Sequence, residues 1–261
     1  MKQYIADAFT TELFHGNPAA VCVLDAWIPD PLMRQIAAEN GLPETAFTVP
    51  CGARYQLRWF TPAGEIDLCG HATLATAFIL FTRYETAGDT LYFDTQSGEL
   101  RAARHEGRYE LDFPAYPLTP VPVTNAMEAA FGARPREAYL SRDLLAVFDS
   151  EETVRTMTPD PQKLKLLDGL SIAVTAPGSV YDCVSRVFTP ELDTLEDPVT
   201  GSTHCMIAPY WQKRLQKDEI RAFQASKRTG ILTCRCGGGR VKLSGNAVLY
   251  AVSDILPGYQ P

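Results

Sequence analysis

The chain is poor in the residues that hold metal or build covalent staples. It has only four histidines and seven cysteines among 261 residues, and no two cysteines stand in a C-x-x-C pair. Cys234-Arg-Cys236 and the adjacent His204-Cys205 lack zinc-site spacing. Alternation along a strand accounts for Cys234 and Cys236 without a metal, so no metal site is expected. An odd number of thiols also argues against a disulfide framework. Positive charge is scarce too: 24 Lys and Arg stand against 31 Asp and Glu, a net charge of −7. That balance excludes a dedicated nucleic-acid binder, which needs a basic face. The densest basic stretch, Lys227-Arg228 with Arg235 and Arg240 nearby, reads as a solvated surface. No apolar run approaches the roughly 20 residues that span a bilayer. The start, Met1-Lys2-Gln3-Tyr4-Ile5-Ala6-Asp7, carries an acid early and has no signal-peptide core. The expectation is a cytoplasmic protein with no membrane and no nucleic-acid partner.

What remains is an ordinary globular composition, 46% hydrophobic and 21% charged. This length suits one large domain or two of roughly 100–150 residues. Internal repetition favours two. Arg58-Trp59-Phe60-Thr61-Pro62 is answered by Arg186-Val187-Phe188-Thr189-Pro190, and Gly41-Leu42 by Gly169-Leu170. Asp30-Pro31 is answered by Asp160-Pro161. Asp30 and Asp160 read as helix N-caps, the prolines as first-turn residues, and Gly41 and Gly169 as C-terminal stops. Leu32, Ile36 and Ala37 mark the buried face of the first helix. A short apolar strand follows each helix, Ala46–Val49 and Ile172–Thr175. Beyond each Phe-Thr-Pro a glycine turn opens a second helix, at Cys69-Gly70-His71-Ala72-Thr73 and at Thr200-Gly201-Ser202-Thr203. The first of these helices is apolar nearly all round, so it should be buried. Residues 112–122 carry four prolines. They read as an extended linker or as an edge strand with proline stops. The expected division is an N-terminal lobe over 1–117 and a C-terminal lobe over 118–261, with a possible return of the last strand to the N-terminal lobe.

Two helix starts offer unpaired backbone N–H groups and positive dipole ends, which suit a carboxylate. The halves differ where chemistry needs asymmetry. Glu44 stands where the second half has Ile172, and His71 where it has Ser202. Asp197 lies four residues before Gly201, in an Asp-Pro that also reads as a simple turn. Cys69, beside a helix start, is either a packing residue or a single base. Its counterpart is Thr200, so no symmetric thiol pair exists.

Phe14-His15-Gly16-Asn17-Pro18-Ala19-Ala20-Val21, Glu44-Thr45-Ala46-Phe47, Arg58–Pro62 with Glu65-Ile66-Asp67-Leu68-Cys69-Gly70-His71-Ala72-Thr73, Glu196–Ser202, Gln224–Arg228 and Val241–Ala247 resemble the phenazine-biosynthesis-like isomerase family. The resemblance runs through essentially the whole chain. It implies an α+β, diaminopimelate-epimerase-like fold: two similar lobes related by a pseudo-two-fold, each a barrel-like mixed sheet around a central buried helix. It implies a cleft between lobes, a homodimer, and proton movement on a small carboxylate-bearing molecule with no cofactor. It places the acid/base role on Glu44, with His71 and Asp197 as catalytic partners. Gly70, Gly201 and Ser202 hold the substrate carboxylate, and Asn17 and Ala72, in the matching stretches, complete the substrate-binding set. Pro43, the Cys69-Gly70-His71-Ala72 run and Lys227-Arg228-Thr229-Gly230 depart from the phenazine-forming enzymes, so their substrate is not carried over. Two other readings stay open: an epimerase, racemase or dehydratase that depends on Cys69, and a non-catalytic metabolite-binding or interaction protein.

Overall fold

A computed structural model describes residues 1–84, 86, 88–190, 195–256 and 258. Two compact units divide the chain, Met1–Asp112 with Ser244–Pro261, and Phe113–Leu243. The first unit runs β1 (Lys2–Ala8), β2 (Asn17–Val23), α1 (Asp30–Asn40), β3 (Glu44–Cys51), β4 (Arg54–Thr61), β5 (Gly64–Ile66), α2 (Gly70–Arg83), β6 (Thr90–Thr95), β7 (Gly98–His105) and β8 (Arg108–Pro114). The second runs β9 (Thr119–Val121), α3 (Asn125–Phe131), β10 (Glu137–Leu140), β11 (Leu144–Val147), α4 (Glu151–Thr156), α5 (Pro161–Leu164), β12 (Ile172–Pro177), β13 (Cys183–Phe188), β14 (Glu196–Asp197), α6 (Gly201–Leu215), β15 (Glu219–Gln224), β16 (Gly230–Gly237) and β17 (Arg240–Gly245). The chain then re-enters the first unit as β18 (Ala247–Asp254).

The units repeat one strand pattern. In the first, the order β18-β1-β2-β3-β4-β6-β7 is joined antiparallel, antiparallel, parallel, antiparallel, parallel, antiparallel. In the second, β9-β10-β11-β12-β13-β15-β16 follows the same series of directions. The short strands β5 and β14 sit on β4 and β13. Each sheet packs on one long helix. In α2, eleven of fourteen residues are buried, against β1, β2, β3 and β7. In α6 the buried residues include Cys205, Met206, Ile207 and Trp211, and the helix packs on β15 and β16.

A duplicated ion pair ties down each Phe-Thr-Pro strand. Arg58 Nε meets Glu65 Oε1 at 2.6 Å, and its guanidinium lies 5.2 Å from the Phe60 ring centre. Arg186 Nε meets Glu196 Oε1 at 2.7 Å, 5.0 Å from the Phe188 ring centre. The carboxylate on the short strand thus clips the arginine of its neighbour in both units.

Several local expectations need correction. Pro29, not Asp30, is the N-cap of α1, and no side chain caps it. Asp30 instead binds Arg58 Nη1 at 2.9 Å. Asp160 does cap its helix, accepting from the Gln162 and Lys163 amides. That helix ends at Leu164, so Gly169 does not stop it, whereas Gly41 ends α1 in the left-handed region. Met33 rather than Leu32 fills the core beside Ile36 and Ala37. The proline-rich stretch is largely strand, ending β8 and forming β9, because proline is tolerated at strand ends and edges. The division between the units falls at 112/113 rather than 117/118, while the last strand does return to the first unit, as the sequence allowed: residues from Ser244 on belong to it and β18 pairs with β1.

Candidate active site

In the first unit the site forms at the start of α2. Gly16 has φ +68°, and a Cβ there would lie 2.2 Å from the Ala8 carbonyl oxygen. Only glycine passes that point without strain. It delivers Asn17 to the first position of β2, fully buried, with Nδ2 3.1 Å from His71 Nδ1. A charged ring would be met there by the amide oxygen; the neutral ring accepts at Nδ1 and carries its proton on Nε2. That nitrogen lies 2.9 Å from Glu44 Oε2. The parallel pairing of Ala19 with Glu44 brings the starts of β2 and β3 side by side. His71 is 5% exposed, and the Glu44 side chain is 15% exposed. The contact is a charge pair that is out of line for a hydrogen bond, and neither facing atom has a hydrogen-bond partner among the described residues.

Cys69, the N-cap of α2, has its Sγ 3.6 Å from His71 Nδ1. Burial, then the Glu44 carboxylate, push the Cys69 thiol up, and His71 and the Ala72 amide offset only part of this. For His71, burial is the largest single influence and opposes charge, but the Cys69 sulfur and the Glu44 carboxylate together raise the imidazole well above its ordinary range. The sulfur acts this way only as a thiolate, and the thiol is itself raised. Glu44 is therefore the partner whose charge favours the protonated ring. Donor atoms of Glu44, Cys69 and His71 all lie within 4.8 Å of one another. The sulfur and the carboxylate nevertheless approach different nitrogens of one ring. That order suits passing a proton along better than enclosing an ion.

In the second unit the equivalent helix start is built differently. Asp197 ends β14, paired with Val187. Its Oδ2 accepts from the Thr200 hydroxyl at 2.5 Å. Gly201 and Ser202 open α6, and Thr200 is its N-cap. Ser202 Oγ accepts from Arg142 Nη2 at 2.9 Å. Arg142 is held by the fully buried carboxylate of Asp143, at 3.0 Å from Nε and 2.6 Å from Nη2. Thr203 Oγ1 donates to the same carboxylate at 2.9 Å. His204 Nδ1 donates to the Thr200 carbonyl at 2.7 Å, and burial lowers its pKa to about 4.

The structure therefore gathers Asn17, Glu44, Gly70, His71 and Ala72 around one helix start, and Asp197, Gly201 and Ser202 around the other. In neither helix does the N-cap side chain accept a hydrogen bond from the first turn, while the caps of α3, α4 and α5 do. Sequence reasoning missed Arg142, Asp143 and Gln224. Ile172 pairs with Phe188 as Thr45 pairs with Phe60, so the register sets Ser171, not the expected Ile172, in the place of Glu44, and Arg142-Asp143 in the places of Pro18-Ala19, next to Asn17. Only the strand register reveals that equivalence, because the residues themselves share nothing.

The profile of the phenazine biosynthesis-like proteins, PhzC-PhzF, matches residues 6–252. The chain belongs to that family. It is 48% identical over 250 residues to an uncharacterized isomerase of Pseudomonas aeruginosa, covering 95% of this chain and 96% of that protein. A crystal structure of a PhzF-family phenazine biosynthesis protein from Enterococcus faecalis superposes with a TM-score of 0.96 at 51% identity, covering 98% of each chain. A hydroxyproline epimerase from Agrobacterium vitis matches at TM-score 0.66 and 10% identity, covering 98% of this chain and 90% of that one, a likeness of fold alone. The chain is thus an isomerase of the phenazine-biosynthesis-like family with the diaminopimelate-epimerase-like α+β fold. Among the described residues no helix is long and apolar enough to cross a membrane.

Proposed function

We propose that the enzyme shifts a proton on a small carboxylate-bearing molecule, with Glu44 as the acid/base group and no cofactor. The observation that carries this reading is the buried Glu44–His71 contact at 2.9 Å whose facing atoms have no hydrogen-bond partner among the described residues. A carboxylate in that setting has a lone pair for a substrate C–H and an imidazole beside it that can pair with it or take up its proton. His71 is oriented by Asn17 at the ring's far nitrogen. Asp197 serves as the second carboxylate. For holding a substrate carboxylate, the first unit offers the backbones of Gly70 and Ala72, and the second offers the backbone of Gly201 and the side chain of Ser202, each at a helix start of the kind that suits an anion. One carboxylate that removes a proton and returns it to a neighbouring atom on the same face needs neither metal nor redox partner.

The test is hydrogen exchange from deuterated water into a panel of unsaturated amino and carboxylic acids. Glu44→Gln should cut exchange roughly a hundredfold or more while the melting temperature holds. Exchange at the parent rate rejects the assignment. A second reading, a Cys69-dependent epimerase or dehydratase, draws on the 3.6 Å approach of Cys69 to His71. It is disfavoured by a buried thiol that is pushed up rather than down. Cys69→Ala and thiol alkylation separate the two, since Glu44 chemistry survives both. A non-catalytic binding protein is disfavoured by the burial of Glu44 against His71.

A further inference from the structure

Gln224, the last residue of β15, is fully buried. Its amide has one possible orientation. Oε1 accepts from the Thr200 amide at 2.9 Å, and Nε2 donates to the Asp197 carbonyl at 2.8 Å. Turning the group over would set donor against donor and acceptor against acceptor. So fixed, Nε2 also reaches Thr200 Oγ1 at 3.3 Å. The threonine hydroxyl is thereby an acceptor toward Gln224, and its single proton goes to Asp197 Oδ2 at 2.5 Å.

The same loop grips the rest of the turn. Ser226 Oγ donates to the Pro198 carbonyl at 2.7 Å and accepts from the Thr229 amide at 3.1 Å. A Cβ at Gly230 would lie 2.3 Å from Val199 Cγ2, so the backbone there presses directly on that side chain. Every residue from Asp197 to Thr200 is thus held from the β15–β16 connection. Among the described residues the first unit has no such device. By strand register Thr95 takes the place of Gln224, and its hydroxyl closes its own hairpin onto the Gly98 carbonyl at 2.7 Å.

We infer that Gln224 is a positioning residue that commits the Thr200 hydroxyl proton to one oxygen of Asp197, holding that carboxylate in a single orientation. Its catalytic meaning rests on the reading of Asp197 as a functional carboxylate, but the clamp is testable without turnover. The preceding acid in the chain, Glu196, is occupied by Arg186 at 2.7 Å and is untouched by the variants below.

The experiment follows the carboxyl carbon of Asp197 by NMR in the full chain labelled at aspartate, with the signal assigned by its loss in Asp197→Asn. Loss of a hydrogen bond to the charged form raises a carboxyl midpoint. Thr200→Val should raise the Asp197 midpoint by about one pH unit relative to the parent. Thr200→Ser should leave it in place, and Gln224→Leu should raise it by about half a unit or more. Thermal melts certify folding, and Thr200→Val stands alone if Gln224→Leu does not fold. Parent midpoints in Thr200→Val, or in a folded Gln224→Leu, overturn the inference. Asp197→Asn in the exchange assay tests the other half: unaltered exchange with a shifted midpoint removes the catalytic role and leaves the clamp standing.

Discussion

The two units share a strand pattern and an arginine clip, yet their helix starts have opposite characters. At α2 a histidine meets a glutamate, and the contacting atoms are unsatisfied among the described residues. At α6 an aspartate, a threonine, a glutamine and an arginine–aspartate pair consume one another's hydrogen bonds. The first start is poised and the second is braced. Duplication evidently supplied a frame, and divergence of a few residues at its rims supplied the roles. The framework carboxylates Glu65 and Glu196 stayed with their arginines, while the functional candidates Glu44 and Asp197 have no acidic counterpart: the register sets Ser171 and Ile66 in their places.

The largest expected effect comes from making the poised start resemble the braced one. His71→Ser should lower exchange by roughly a hundredfold or more, measured with the best substrate of the acid panel. Ser202→Ala should mainly raise KM with kcat little changed, the mark of lost ground-state binding. Equal losses in both variants would erase the proposed division of labour.

Next are the duplicated clips. Arg186→Met should cost about 3 kcal/mol by denaturant unfolding, because it strands a part-buried glutamate. It also frees the Met157 carbonyl, which Arg186 Nη1 contacts at 2.6 Å. Arg58→Met should cost about 1–2 kcal/mol, since its second partner, Asp30, is largely exposed. Equal costs, or the reverse order, would show that the Met157 carbonyl adds nothing to the second clip.

The two helix histidines should slope oppositely with pH. Burial holds His204 at about 4, below an ordinary unfolded value. The unfolded chain therefore takes up its proton first, and stability falls as pH drops from about 6.5 to about 4, by roughly 3 kcal/mol in all. His71 is raised, so its contribution is whole below its unfolded value and is lost as pH rises through its folded one. Melting temperatures across pH should lose the acid slope in His204→Asn and the alkaline slope in His71→Asn. The smallest contrast lies at the surface helices. Asp160→Ala removes a true cap and should lower the melting temperature, whereas Asp30→Ala removes only an exposed pair and should lower it less.

Much of this was legible before any coordinates. The Phe-Thr-Pro repeat marked the duplicated strand, and the apolar run after Gly70 marked the buried helix, because burial on all sides leaves no polar stripe. Glu44 and His71 stood out as departures from the repeat. Asp30 misled, because an aspartate before a proline looks the same whether it caps a helix or binds an arginine 28 residues away. Gln224 was passed over for a similar reason: nothing in Gln-Ala-Ser shows that its amide closes on a turn 24 residues upstream.

The sequence by itself determined the duplication, the family, the two glycine-opened helices and the asymmetric placement of Glu44, His71 and Asp197. These are written in local pattern and in the comparison of one half with the other. Only the tertiary structure decided that Asn17 orients His71, that Cys69 lies against the ring, and that Gln224 and Asp143 brace the second helix start. Hydrogen bonds between residues distant in the chain depend on strand register and burial, and neither leaves a mark in the neighbouring letters.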